Sequence, residues 1–137
     1  MANTTIKVNT GIQNYTFTDE DGHMFSAFRL NPTDINLAKR AMEVGEYFEK
    51  LGDFQAESID DVAKLNKDIE EKISYVLGYD AKDVFGEVTA TTVFADGTVF
   101  AFLVMDKILS EVTPALEQRQ KKMEKAADKY LKKYERV

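Results

Sequence analysis

The sequence predicts an α+β fold that is mainly α: an N-terminal β-hairpin followed by three to four helices, with a long C-terminal helix. Three observations predict it. Strand-favouring Ile6, Val8, Tyr15, Phe17, Phe25 and Phe28 gather in residues 4–30 on either side of Asp21-Gly22, a pair that tolerates the backbone of a tight turn. From Ile35 onward apolar residues recur at intervals of three and four, the period of a helix with one buried face. Past Pro114 that interval persists inside a stretch otherwise dense in charge, the mark of a helix with a narrow apolar stripe.

The hairpin must pack on something, because an isolated pair of strands is marginal in water. Asn31-Pro32-Thr33-Asp34 then reads as a stop and a start together. Pro32 ends the strand, and Asn31 or Thr33 is placed to cap the first amides of a helix. That helix carries Ile35, Leu37, Ala38, Ala41, Met42, Val44, Phe48 and Leu51, with Gly52 as its stop and a candidate hinge over 52–57. Ser58 opens a second helix, Asp61 three residues on gives an Asp version of the capping box, and Val62, Leu65, Ile69, Ile73, Val76 and Leu77 form its stripe up to Gly78.

Residues 81–86 suit one short turn, and 88–105 mix strand-favouring Val and Thr with apolar residues at helical spacing. The reading adopted is a loop or brief strand ending near Ala95, then a helix; Asp96-Gly97 suits either a hairpin turn or the start of that helix. Thr113-Pro114 either kinks this helix or begins another, since proline lacks the amide an interior position needs. Leu116, Met123, Ala126 or Ala127, Tyr130, Leu131 and Tyr134 continue the stripe to the end. Glu124 with Asp128 and Lys125 with Lys129 set like charges one turn apart, so this last stretch gains little order alone and more by packing, on its own body or on another chain.

Length and composition bound the function. A chain of 137 residues, 44% hydrophobic and 11% aromatic, fits one domain with one core. The expected organisation is a single domain 1–137, with a hairpin over 1–30, a helical core over 31–117 and a basic helical tail over 118–137. No apolar run approaches the ~20 residues a bilayer demands, so no membrane partner is expected. Met1–Val8 shows no apolar stretch of a secretory signal, and cysteine is absent; a cytoplasmic, reducing setting is the expectation. Residues 1–117 hold 10 Lys/Arg against 21 Asp/Glu, whereas 118–137 hold 8 against 3. An acidic body of this kind argues against nucleic-acid binding, which needs an extended basic face. It leaves the basic tail free to dock a charged partner, to pair between copies, or simply to face solvent.

Chemistry is sparsely provided for. Catalysis usually draws on a group that titrates near neutrality, and the single histidine, His23, adjoins the hairpin turn where solvent exposure is the ordinary outcome. The Asp19-Glu20-Asp21-Gly22 run superficially suits a calcium loop, but aligning Gly22 with the loop's glycine puts Phe17 at the first ligand and Phe28 at the last. Paired acids Asp60-Asp61 and Glu70-Glu71 read as solvated helix faces. No phosphate-binding glycine loop or nucleophile elbow occurs. The expectation is therefore a protein that is not an enzyme and takes no cofactor or metal. Phe94, Phe100 and Phe102 are a local concentration of aromatics, suited to a core or to an adhesive patch.

Three segments together carry a family likeness: Phe28-Arg29-Leu30-Asn31-Pro32-Thr33-Asp34; Ile73-Ser74-Tyr75-Val76-Leu77-Gly78-Tyr79-Asp80 followed by Val84-Phe85-Gly86; and Asp96-Gly97 leading into Phe100, Leu103, Ile108 and Pro114. In this order and spacing, over about residues 24–120, the chain resembles small proteins of the tail-gene clusters of phages and prophages of Gram-positive bacteria, and is similar to phage tail assembly chaperones. The resemblance implies a mostly helical cytoplasmic protein that forms homo-oligomers and coats the long helical tape measure protein until the tail tube polymerises. The Val- and Thr-rich 88–93 segment and the Lys-rich tail depart from the group's pattern. Under this reading the partner-binding residues are Phe94, Phe100, Leu103, Met123, Tyr130, Leu131 and Tyr134, and no titratable chemistry is required for a helix to lie against helices. The alternative is a structural virion component, a minor tail or head-tail joining protein.

Overall fold

The computed structural model describes residues 3–135, with side chains through Lys132. Strands β1 (Gln13–Thr18) and β2 (Met24–Leu30) form an antiparallel hairpin, followed by helices α1 (Ile35–Lys50), α2 (Ile59–Leu77) and α3 (Phe100–Glu135). The molecule is mainly α, with the hairpin at its N-terminal end and the longest helix last, in agreement with the sequence.

The hairpin closes where expected. Asp19 Oδ1 accepts from the amides of Asp21 and His23, both at 2.9 Å, while Gly22 takes φ 84°, a region costly for residues bearing a Cβ. Pairing runs Tyr15 to Phe28 and Phe17 to Ser26, then shifts so that Thr18 faces Met24. The extra residue on β2 is Phe25, and this bulge turns Phe25 to the same side as Phe28. Ile6 and Val8, expected to contribute to the strands, lie exposed in the extended segment before β1. Gln13 already pairs with Leu30, and beyond Leu30 the chain bends at Asn31-Pro32, so earlier residues have no partner strand.

Helix α1 is capped by Asp34, whose side chain accepts from the Asn36 amide at 2.9 Å, and not by Asn31 or Thr33. Asn31 is committed to the bend: its side chain accepts from the Thr33 amide and hydroxyl and donates to the Thr10 carbonyl at 2.8 Å. At the other end Gly52 does not stop the helix in a left-handed conformation; α1 tightens into a 3-10 turn over Leu51–Asp53. Ile35 and Met42 of the expected stripe point outward, leaving Leu37, Ala38, Ala41, Val44 and Phe48 to be buried.

Helix α2 begins and ends as its sequence dictates. Ser58 accepts from the Asp61 amide at 3.3 Å, and Asp61 reciprocates one residue earlier than a standard box, accepting from Glu57. Gly78 ends the helix at φ 80° with its amide bonded to the Ser74 carbonyl. The Arg40 side chain donates to the Val76 carbonyl at 3.2 Å, satisfying one of the acceptors every helix C-terminus leaves over.

Between α2 and α3 the chain makes a 3-10 turn (Ala81–Asp83) and an irregular loop. Ser26, buried, donates to the Val84 carbonyl at 2.6 Å and fixes the hairpin to this loop. Asp96-Gly97 forms a hairpin turn, with Gly97 at φ 89° and a lone antiparallel bridge between Val93 and Val99. Helix α3 then starts at once, and its first amides are met by loop carbonyls: Phe100 to Thr92 and Ala101 to Ala90, both at 2.9 Å. Of the two alternatives for Asp96-Gly97, the hairpin turn is the one realised, and the helix begins three residues later at Phe100.

Helix α3 spans 36 residues, about 54 Å at 1.5 Å per residue. It runs through Pro114 without a break; Pro114 is exposed, so its ring meets solvent on the side where a lost backbone bond is cheapest. Helix α1 packs on both α2 and α3, and the core they enclose includes Ile69, Ile73, Val76, Phe100, Val104 and Ile108.

Candidate functional site

The structure divides the sequence-predicted binding residues between two places and removes one of them. Phe100 has no exposed surface. Its ring lies 5.3–5.6 Å from those of Phe17, Phe25, Phe85 and Phe94, so it is the centre of an aromatic core joining both strands, the loop and α3. It is not a partner-binding residue. Of Phe94, Phe100 and Phe102 only Phe100 is buried: Phe94, half-buried, packs on Phe25, and Phe102, exposed, stands edge-on to Phe48 at 5.5 Å.

The first place is the distal part of α3. Met105, Ile108 and Val112 are buried, Leu109 and Leu116 half-buried, and from Gln120 to Lys132 every residue is exposed. Met123 retains 53% and Leu131 55% of its surface, and Tyr130 is exposed too; the Tyr134 side chain lies outside the described residues. Leu109, Leu116, Met123 and Tyr130 follow each other at steps of seven. Residues so spaced stay within about 20° per step of one face. The face that packs α3 against the core therefore continues past the body, and its covering stops near Leu116. Residues 119–132 bear six Lys/Arg and two acids, which surrounds the stripe with positive charge.

The second place is a groove of about 650 Å³ beside the hairpin turn. Phe25, Phe94 and Leu103 form its apolar floor, so Phe94 and Leu103 do come together. Asp19, Glu20, Glu87 and Asp96 edge it, with His23. His23 Nε2 lies 3.0 Å from Glu87 Oε2, and this hydrogen bond, reinforced by the charge of Glu87, raises the imidazole above its usual 6.5. Asp96 accepts from the Thr98 hydroxyl and amide, and these bonds hold its carboxyl below 3.8. The four carboxylates give the edge an anionic character, and the His23 ring is engaged by Glu87.

Sequence reasoning missed this groove because its parts come from residues 17–25, 87–88 and 94–103, which only the fold assembles. The apolar stripe of distal α3 was read from the spacing, but the point near Leu116 where its covering ends was not. Among the described residues no three His, Cys, Asp or Glu side chains gather to hold a metal ion, and no helix is long and apolar enough to cross a membrane. Glu70, read as a solvated acid, is half-buried, and loss of solvent followed by the charge of Asp80 raises its carboxyl above 4.5. No family model, curated protein or solved structure matches the chain.

Proposed function

We propose that this chain is a non-catalytic binding protein that offers the distal stripe of α3 to a helical partner, acting as a tail assembly chaperone-like protein toward a phage tape measure protein. The observation that carries the binding role is the uncovered continuation of the α3 core face past Leu116, with Met123 on that face and Leu131 at its side more than half exposed. Burial of apolar surface stabilises association by about 25 cal/mol per Å², so such a face gains by being covered. A helix laid along it would meet apolar residues on a helical repeat and basic side chains at the edges. The choice of partner rests on the resemblance of the Phe28–Asp34, Ile73–Gly86 and Asp96–Pro114 segments to tail assembly chaperones.

Co-expression with the tape measure protein of the same gene cluster tests the proposal. The full chain should raise that protein's soluble fraction severalfold, and a chain ending at Glu117 should not. Equal solubility with and without the chain would count against the partner. Mass spectrometry of purified particles separates the two virion-related roles: a chaperone is absent from mature particles, whereas a structural subunit is present at fixed stoichiometry.

A further inference from the structure

We infer that the basic distal part of α3 from one copy docks in the acid-edged apolar groove of a second copy, so that the chain associates head to tail. The two surfaces complement each other in both chemistry and charge. The groove offers Phe25, Phe94 and Leu103 between Asp19, Glu20, Glu87 and Asp96. The helix offers Met123 and Leu131 among Lys121, Lys122, Lys125, Lys129 and Lys132. Apolar contact supplies attraction, and opposite charges select this pairing and speed encounter.

Two other arrangements fit less well. A chain cannot fill its own groove: Leu103, at the groove, and Met123 sit on one continuous helix, twenty residues and about 30 Å apart. Two distal helices pairing side by side would bring together stretches each carrying six cations and two anions over 119–132, and like charges across such a seam oppose it. A tail-in-groove contact is heterologous. It leaves one groove and one tail free, so it grows into rings or open chains rather than stopping at a closed dimer.

The inference is independent of the tape measure reading. Loss of tape measure solubilisation with self-association intact would remove that reading and leave this one, and the reverse result would do the opposite. The test is sedimentation velocity over a concentration series with three forms of the full chain: unmodified, groove-reversed (Glu20→Lys with Glu87→Lys) and tail-reversed (Lys125→Glu with Lys129→Glu). All four positions are exposed, and thermal melts followed by circular dichroism verify folding. The unmodified chain should form species larger than a dimer, weakened by high salt. Each altered form should associate at least about tenfold more weakly, and an equimolar mixture of the two should recover one contact, the unmodified basic tail of the groove variant in the unmodified acidic groove of the tail variant, giving pairs that do not grow further.

A monomeric unmodified chain, unaltered association in the reversed forms, or no recovery on mixing would overturn the inference. A photo-crosslinking residue at Met123 gives a second, charge-independent readout. Crosslinks to the 94–103 segment of another copy are expected, and crosslinks to another copy's 119–132 segment, or none, would contradict it.

Discussion

Truncating Phe100 to alanine tests the division between core and binding surface. The Phe100 ring has no exposed surface and meets Phe17, Phe25, Phe85 and Phe94. Replacing a buried Phe by Ala costs about 3–5 kcal/mol, from lost transfer energy and from the cavity left behind. The upper part of that range applies, because the four neighbours belong to β1, β2, the loop and the turn before α3, and no single shift lets all of them close the gap. Domains of this size are stable by about 5–15 kcal/mol, so the variant should lose about a quarter or more of its stability. Met123→Ala, on the exposed part of α3, should stay within about 0.5 kcal/mol. Urea unfolding followed by helical circular dichroism measures both. A Phe100→Ala loss below about 1 kcal/mol, or a Met123→Ala loss above that, would refute the assignment of these two residues.

Further consequences follow from the same structure. Gly78→Ala should destabilise by about 1–2 kcal/mol, because a left-handed conformation strains any residue with a Cβ and the new Cβ would sit 3.2 Å from Arg40 Nη2; thermal melting reads the change. Pro114→Ala should stabilise the protein by about 2 kcal/mol, since the exposed alanine restores a helical amide at the cost of a slightly freer unfolded chain, and a lowered melting temperature would contradict this. His23 binds its proton more tightly in the fold than at the ordinary 6.5. Its contribution to stability is therefore fully present below that value and fades as pH rises through the raised one. An imidazole titration by NMR should show the raised value, and Glu87→Gln should bring it back toward 6.5.

Much of the fold was legible in the sequence where local chemistry decides the outcome. Ser58 and Gly78 delimit α2 because one supplies a cap oxygen and the other a left-handed stop. Asp21-Gly22 closes the hairpin for a similar reason. Readings failed where a distant neighbour decided: Asn31 is held by Thr10 and leaves the cap to Asp34, and Ile6 and Val8 lack a strand to pair with. Phe100 was left open between core and adhesive patch because nothing local announces that four rings from elsewhere converge on it. The apolar residues of distal α3 were visible by periodicity, but the point where the body stops covering them was not, since that depends on how far α1 reaches along α3. The acid-edged groove was least accessible, being built from segments up to 86 residues apart, Phe17 to Leu103.

Hydrogen-exchange mass spectrometry on dilute protein, with and without the tape measure protein, tests most directly whether distal α3 is a surface awaiting a partner. Alone and dilute, amides over 120–132 should exchange far faster than those of α2, whose Ile69, Ile73 and Val76 are buried. Adding the partner should slow exchange over 120–132 and leave α2 unchanged. Protection there equal to that of α2 in the isolated monomer, or no slowing when the partner is added, would contradict the account.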